Sequence, residues 1–150
     1  MKVPGCPLCD GPGGLPVFIG PKLRVIRAQE AGFPAFYRLV WNDHAAEFTD
    51  LAAPDRELCM AAVAEVELLM RAHLRPDKVN LAALGNAVPH LHWHIVARFA
   101  WDSRFPAPVW APANREVSHG QLAAVESLLP ALDKAIASRL GGWPGNNTPS

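Results

Sequence analysis

Three histidines stand at alternate positions near the middle of the chain, as His90, His92 and His94. In an extended strand, alternate side chains share one face, and next-but-one neighbours stand about 6.5–7 Å apart. The spacing predicts a row of imidazoles on one side of a strand, with Leu91 and Trp93 pointing to the core on the other side. The three rings could share a transition metal. Alternatively, one ring could act as a nucleophile that its neighbours support.

The residues before the histidine row favour the handling of phosphate. Gly85 lets the backbone approach a ligand closely, so that its amides can face an anion. Asn80 and Asn86 add two carboxamides beside the imidazoles. Amide N–H groups and carboxamides suit a phosphate, whereas a closed metal site does not need them.

A second group of reactive side chains lies at the amino terminus. Cys6 and Cys9 are separated by two residues, which matches one half of a tetrahedral zinc site whose other half must come from histidines. A reduced thiol pair or an incidental disulfide is the alternative. The third cysteine, Cys59, falls inside a predicted helix and is expected to be a small packed thiol. Three cysteines are too few for a disulfide framework.

The elements that position these residues follow from periodicity and from turn formers. Short runs rich in strand formers predict strands over 15–19, 23–28, 36–41, 79–84 and 91–99. Helical spacing predicts helices over 54–72 and 119–140, and Pro130 should kink or split the second of them. The flanking segments are a Cys-containing loop over 4–14, an arm rich in proline and aromatic residues over 100–117, and a flexible tail over 141–150. This order predicts an α+β fold, an antiparallel sheet with two helices, in a single domain over 1–140.

Composition excludes several classes of function. A chain of 150 residues is the size of one domain. Lys plus Arg is 14 and Asp plus Glu is 14, so the zero net charge gives no support for binding to nucleic acid or to an anionic membrane. No run approaches the roughly 20 apolar residues of a membrane span, and the first residues carry no apolar signal region. The expected location is the cytoplasm.

Residues 88–96, with the sequence VPHLHWHIV, resemble the signature of the histidine triad family, in which three histidines alternate with apolar residues. The longer stretch 80–98 is similar to bacterial members described as diadenosine-tetraphosphate-hydrolase-like. The resemblance implies a five-stranded antiparallel sheet with two helices, and a homodimer that joins two sheets into one. It also implies hydrolysis or transfer at the α-phosphate of dinucleoside polyphosphates or nucleoside phosphoramidates.

The resemblance also implies a role for each matching residue. His92 is the expected nucleophile and forms a nucleotidyl-histidine, and His94 is expected to contact the phosphate oxygens. Asn80, Gly85 and Asn86 match the residues that bind phosphate or ribose. No catalytic metal is expected. A structural zinc is implied on a set of four ligands: Cys6, Cys9, His44 and His90.

The chain departs from the family pattern at several positions. Ala87 stands where a Ser or Thr usually donates a hydroxyl, and Asn86 replaces a longer glutamine. Ala97 replaces a common proline, and the Gly-His of the third strand is absent near Phe36. These departures motivate an alternative hypothesis of a different class, a nucleotide-binding or partner-binding protein of the same fold with little turnover.

Two further interpretations stay open at this stage. Arg98 could balance phosphate charge, or it could be an ordinary surface arginine at a strand end. Trp101, Phe105 and Trp110 could line a nucleobase pocket on the partner subunit, or they could anchor the arm to their own chain. The remaining histidines are expected at the surface: His73 and His119.

Overall fold

The computed structural model describes residues 1–143. Within that range the chain forms five strands and four α-helices. The strands are β1 Leu15–Ile19, β2 Leu23–Arg27, β3 Phe36–Trp41, β4 Lys78–Ala82 and β5 His92–Arg98. The helices are α1 Pro7–Asp10, α2 Ala53–Leu74, α3 His119–Glu126 and α4 Leu129–Gly141, with a 3₁₀ turn at Phe48–Asp50.

The described strands form one five-stranded sheet in the order β1-β2-β3-β5-β4, and every neighbouring pair is antiparallel. This arrangement confirms the predicted α+β class and the five-stranded antiparallel sheet. The last strand along the chain, β5, lies between β3 and β4. Its central position holds the histidine-bearing strand by backbone hydrogen bonds on both sides.

The register of the sheet places the histidines beside a cation. Arg38 on β3 lies directly opposite His94 on β5, and Val40 lies opposite His92. Directly opposed residues project from the same face of a sheet. We call this side of the sheet the histidine face. A charged residue, two imidazoles and the valine therefore share one surface.

The opposite face of the sheet packs against α2 and α4. Inward residues of β3 and β5, such as Leu39 and Ile95, are fully buried there together with residues of both helices. α2 begins with a proline in its first turn and ends before Arg75, which adopts a left-handed conformation with φ of 48°. The hydrophobic core thus lies behind the sheet, and the histidine face is left for the amino-terminal loop and the arm.

Pro130 splits the last helical segment, as predicted. α3 ends at Glu126, and Pro130 stands in the first turn of α4, where a missing N–H costs nothing. Ser118 caps α3 through its hydroxyl, which accepts from the amide of Gln121. Most of the tail expected over 141–150 lies outside the described residues.

The short helix α1 was not predicted from sequence, because its four residues lie in a segment dense in turn formers. Its first position is Pro7, and the carbonyl of Cys6 accepts from the amides of Cys9 and Asp10.

Within residues 1–143, we find no helix with the length and apolar character that crossing a membrane requires.

Arg98 is buried, so the interpretation as an ordinary surface arginine was wrong, while a role in balancing phosphate charge stays a prediction. Its side chain is 2% exposed and forms two hydrogen bonds to the carboxylate of Asp102, at 2.8 and 3.1 Å. It also donates to Asn80 Oδ1 at 2.8 Å and to the carbonyl of Ala107 at 2.7 Å. The guanidinium is therefore a buried anchor that fixes the start of the arm to the sheet.

The aromatic residues of the arm contact their own chain. Trp101 stacks on Phe99 with ring centroids 4.8 Å apart, and Phe105 lies beside the buried guanidinium at 5.8 Å. Trp110 approaches His94 edge-on, with centroids 5.2 Å apart. These contacts agree with the second alternative, in which the aromatic residues hold the arm on its own body. They also bring one indole, that of Trp110, to the histidine face.

Candidate active site and metal centre

His90 lies just before β5 and is fully buried. Its Nε2 donates a hydrogen bond to the carbonyl of Trp41 at 2.6 Å. Because a carbonyl oxygen only accepts, the proton resides on Nε2 and the Nδ1 lone pair is free. That Nδ1 lies 3.4 Å from the sulfur of Cys6 and 3.4 Å from the sulfur of Cys9. Burial lowers the pKa of His90, which also favours the neutral ring that a metal requires.

Four side chains converge on one point: Cys6, Cys9, His44 and His90. Their ligand atoms all lie within 4.8 Å of one another, and His44 Nδ1 is 3.5 Å from the sulfur of Cys9. Tetrahedral zinc, with Zn–S near 2.3 Å and Zn–N near 2.0–2.1 Å, separates sulfur from nitrogen by about 3.6 Å. The cluster therefore fits a tetrahedral metal ion, as predicted, with all four positions filled by protein.

A buried arginine holds the loop that carries both cysteines. Arg24 on β2 donates from Nη2 to the carbonyls of Leu8 and Gly11, at 2.6 and 3.2 Å, and from Nε to the carbonyl of Pro12 at 3.1 Å. Its Nη1 donates to Asn42 Oδ1 at 3.1 Å. Burial lowers the pKa of Arg24, while the neighbouring thiols act in the opposite direction. Three carbonyl oxygens of the loop are thus fixed by one side chain.

His92 is oriented by the backbone of the residue two positions before it. Its Nδ1 donates to the carbonyl of His90 at 2.6 Å, so Nε2 carries the lone pair. Burial lowers the pKa of His92, and the charge of Arg38 acts in the same direction. A neutral imidazole with a fixed tautomer and a free Nε2 is a competent nucleophile.

His94 lies next to His92, with ring centroids 4.9 Å apart, and packs edge-on against Phe36. Its side chain is buried, and burial, together with the charges of His92 and Arg38, lowers its pKa to about 4. Within residues 1–143, His94 Nδ1 has no hydrogen-bond partner. The ring is therefore neutral near pH 7 and can interact with a ligand.

His92 and His94 line a surface cavity of about 380 Å³. Gly85 and Asn86, both predicted to bind phosphate, line the same cavity. Gly85 has a φ of 71°, a left-handed conformation that favours glycine and turns the loop after β4 toward the histidines. The other lining residues come from five segments: Pro7, Leu8, Gly13, Arg38, Leu84, Ala87, Val88 and Trp110.

The structure does not bring Asn80 into this cavity. Its side chain accepts the hydrogen bond from Arg98 and lines a neighbouring cavity together with Trp110. The role of Asn80 in binding phosphate or ribose stays a prediction.

The three imidazoles also do not share one metal. His90 faces the cysteines, whereas among the described residues neither His92 nor His94 belongs to a group that could hold a metal ion. The hypothesis of a catalytic metal on all three rings was wrong, because only His90 precedes the strand and turns toward the amino-terminal loop.

Sequence reasoning missed Arg38 and the residues between the two cysteines as parts of the site. An arginine in the otherwise apolar run of β3 was the available signal for Arg38, since Phe36 and Val40 lie on the same face. Pro7 and Leu8 gave no such signal, because their position against the cavity depends on how the loop folds.

Comparison with known proteins decides the family. The HIT domain model matches residues 17–101, which is more than half of the chain. The chain belongs to the histidine triad (HIT) family. The matched range begins in β1 and ends after β5, so it includes all three histidines of the motif. Membership in the HIT family is consistent with binding or hydrolysis of nucleotides.

Solved HIT structures share the fold over most of their length. A histidine triad protein from Bradyrhizobium japonicum is 28% identical, with 83% of this chain and 92% of that chain covered and a TM-score of 0.69. One from Marinobacter aquaeolei is 26% identical, with 84% and 93% covered and a TM-score of 0.65. A Zn-bound histidine triad family protein from Mycobacterium smegmatis is 19% identical, with 93% and 98% covered and a TM-score of 0.58, and it shows the fold alone. A search of the curated proteins found no match.

Proposed function

We propose that this HIT protein is a nucleotide hydrolase of the diadenosine-tetraphosphate-hydrolase-like type, acting at an α-phosphate through His92. The observation that carries the proposal is the hydrogen bond from His92 Nδ1 to the carbonyl of His90. It leaves the Nε2 lone pair free on a ring that lines the cavity. Gly85, Asn86 and His94 line the same cavity and supply groups suited to phosphate oxygens.

The reaction proceeds in two displacements. In the first, Nε2 of His92 bonds to the α-phosphorus and the bond from phosphorus to the leaving group breaks, with its electron pair going to the leaving group. In the second, water adds to phosphorus, the P–N bond breaks, and the electron pair returns to Nε2. The products are a nucleoside monophosphate and the leaving group, and the proton of water passes to solvent. Splitting one displacement into two is the advantage of covalent catalysis.

We propose zinc as the metal of the Cys6, Cys9, His44 and His90 cluster. The thiolate-imidazole donor set and its distances suit zinc, and the Mycobacterium smegmatis relative is Zn-bound. Zinc there supplies a cross-link between the amino-terminal loop and the residue before β5. Both thiols must stay reduced to bind it, which agrees with the expected cytoplasmic location.

The homodimer implied by the family would extend the sheet through one of its edge strands, β1 or β4.

A second candidate is a nucleotide-binding protein with little turnover. The specific observation in its favour is Ala87, which lines the cavity where the family pattern has a hydroxyl donor. The shorter Asn86 points the same way, because it reaches less far toward a phosphate than glutamine.

Hydrolysis assays with a trapping step distinguish the two candidates. The purified protein is incubated with diadenosine tetraphosphate and with adenosine phosphoramidate, with and without a chelator that leaves the fold intact. We expect release of mononucleotide, a quenched intermediate carrying adenylate on His92, and loss of turnover by about 10³-fold or more in His92→Asn with nucleotide binding retained. Binding without release from either substrate favours the second candidate. Full turnover in His92→Asn contradicts the nucleophile assignment.

A further inference from the structure

Arg38 is a cation at the reaction site with little compensation. Its side chain lines the cavity beside His92 and His94 and is 24% exposed. Within the described residues its Nε is buried and has no hydrogen-bond partner. Its ion pair is with Glu30, whose oxygen lies 3.6 Å away and whose side chain is 45% exposed. Such a long, solvated pair contributes little, and the guanidinium otherwise lies over the ring of Phe36, with Cζ 5.6 Å from the ring centroid.

The surroundings of Arg38 suit an anion and oppose a cation. Among the described residues that line the cavity, none is an Asp or Glu, and Arg38 is the one Arg or Lys. A guanidinium in a partly buried site binds phosphate oxygens through two parallel hydrogen bonds. A second phosphate next to the scissile one would be attracted here, and an ammonium group would be repelled.

Apart from His92 and His94, no described residue that lines the cavity carries an acidic proton that could pass to a leaving amine. An amine leaves from phosphorus only with a proton, whereas a polyphosphate leaves as an anion. Both ring nitrogens of His90 are engaged, Nε2 with the carbonyl of Trp41 and Nδ1 with the two cysteines. No Asp, Glu, Lys or Tyr is present among the described cavity-lining residues.

We propose that Arg38 selects substrates whose leaving group is a polyphosphate, so that the protein cleaves dinucleoside polyphosphates in preference to nucleoside phosphoramidates. This inference rests on the function proposed above. As His92 Nε2 bonds to the α-phosphorus, the bridging P–O bond breaks and its electron pair goes to the departing phosphate chain. Arg38 stabilises the negative charge that accumulates on that chain. Arg38 thereby acts as a specificity-determining residue.

The test compares kcat/KM for diadenosine tetraphosphate and adenosine phosphoramidate in the metal-loaded protein. Arg38→Leu is expected to lower kcat/KM for the tetraphosphate by about 10²-fold, because it removes one hydrogen-bond donor to a developing charge. The value of kcat/KM for the phosphoramidate should change little. Arg38→Lys keeps the charge but lacks the paired N–H donors of a guanidinium. Its kcat/KM for the tetraphosphate should therefore lie between those of the unmodified protein and Arg38→Leu. Arg71→Leu, an exposed change on α2 with the same loss of charge, is the matched control and should leave both values unchanged.

A binding measurement avoids dependence on turnover. Calorimetric titration with inorganic tripolyphosphate is carried out on His92→Asn protein with and without Arg38→Leu. We expect the second substitution to weaken tripolyphosphate binding by about tenfold or more while AMP binding changes less. If Arg38→Leu does not fold, the same comparison with Arg38→Lys and the salt dependence of tripolyphosphate binding decide the matter.

The outcomes separate this inference from the proposed function. Three outcomes overturn the role of Arg38 and leave hydrolysis through His92 intact. In Arg38→Leu, kcat/KM could fall equally for both substrates or for neither. Alternatively, the unmodified protein could cleave the phosphoramidate faster than the tetraphosphate. Cleavage of neither substrate, or full activity in His92→Asn, overturns the proposed function and the inference with it.

Discussion

The carbonyl of His90 accepts a hydrogen bond from Nδ1 of His92 at 2.6 Å, while the ring of His90 faces away, toward the two cysteines. One residue therefore belongs to two sites, through its side chain in one and its backbone in the other. The metal cluster and the imidazole of His92 are adjacent along the chain, although His92 is not one of the four residues of the cluster.

Removal of one thiolate ligand should reduce both metal content and stability. Elemental analysis is expected to find about one zinc per chain in the unmodified protein and well below that in Cys6→Ala, with a lower Tm. Cys59→Ala is the matched control, because burial raises the pKa of this thiol to about 11 and it packs in the core away from the cluster. Full zinc occupancy in Cys6→Ala would exclude the proposed ligand set.

His94 predicts a specific dependence of stability on pH. Its folded-state pKa is about 4, against about 6.5 in the unfolded chain, so as pH falls from 6.5 toward 4 the unfolded chain binds a proton that the native protein does not. The free energy of unfolding should therefore decline over that range by about 3 kcal/mol through this group. Urea unfolding of the unmodified protein and His94→Leu at pH 7, 5.5 and 4 isolates the contribution. If the difference in free energy of unfolding between the two proteins did not change with pH, the predicted contribution of His94 would be wrong.

Asp102 should be costly to replace. Burial raises its pKa, but hydrogen bonds from Arg98 and from the amides of Arg104, Phe105 and Phe99 outweigh that effect, and the net pKa is lowered. Asp102→Asn leaves a buried guanidinium without its partner and should lower the free energy of unfolding by about 3–5 kcal/mol at pH 7.

The lowered pKa of Asp102 means that its stabilisation is fully present above pH 4 and is lost as pH falls through the folded-state value. The difference between the unmodified protein and Asp102→Asn should thus shrink below about pH 4. Asp77→Asn is the matched control, since its carboxylate accepts one amide hydrogen bond, from Ala100, at an exposed site. An equal cost for the two variants in urea unfolding would show that burial of the Asp102 pair is not decisive.

Trp110 should contribute to nucleotide affinity. It is 53% exposed, lines the cavity and packs edge-on against His94, so an indole face is accessible for stacking. Trp110→Ala in a His92→Asn background is expected to weaken AMP binding by about 1–3 kcal/mol, the usual contribution of one stacked base. Calorimetric titration measures it, with Trp101→Ala as control because that ring stacks on Phe99 outside the cavity. Unchanged affinity in Trp110→Ala would place the base elsewhere.

The sheet was predictable because its strands follow local patterns. Alternation and turn residues located all five strands to within two residues, and Pro130 located the break between α3 and α4. The four metal-binding residues came from a cysteine spacing together with the family resemblance, and the structure brings all four together.

The buried arginines were not predictable, since nothing local marks an arginine as buried. The environment of Arg98 depends on Asp102, on the carboxamide of Asn80 and on the carbonyl of Ala107, which meet only in the folded chain. Arg38 was missed for a related reason. Its position beside His94 follows from the pairing of β3 with β5, which are separated by a helix and a further strand.

The three carbonyl hydrogen bonds of Arg24 have a consequence for how a metal is acquired. These bonds fix the turn around Leu8, Gly11 and Pro12 through protein groups alone. The segment that carries both cysteines therefore has fewer conformations to lose when a metal binds, and preorganisation of this kind increases affinity.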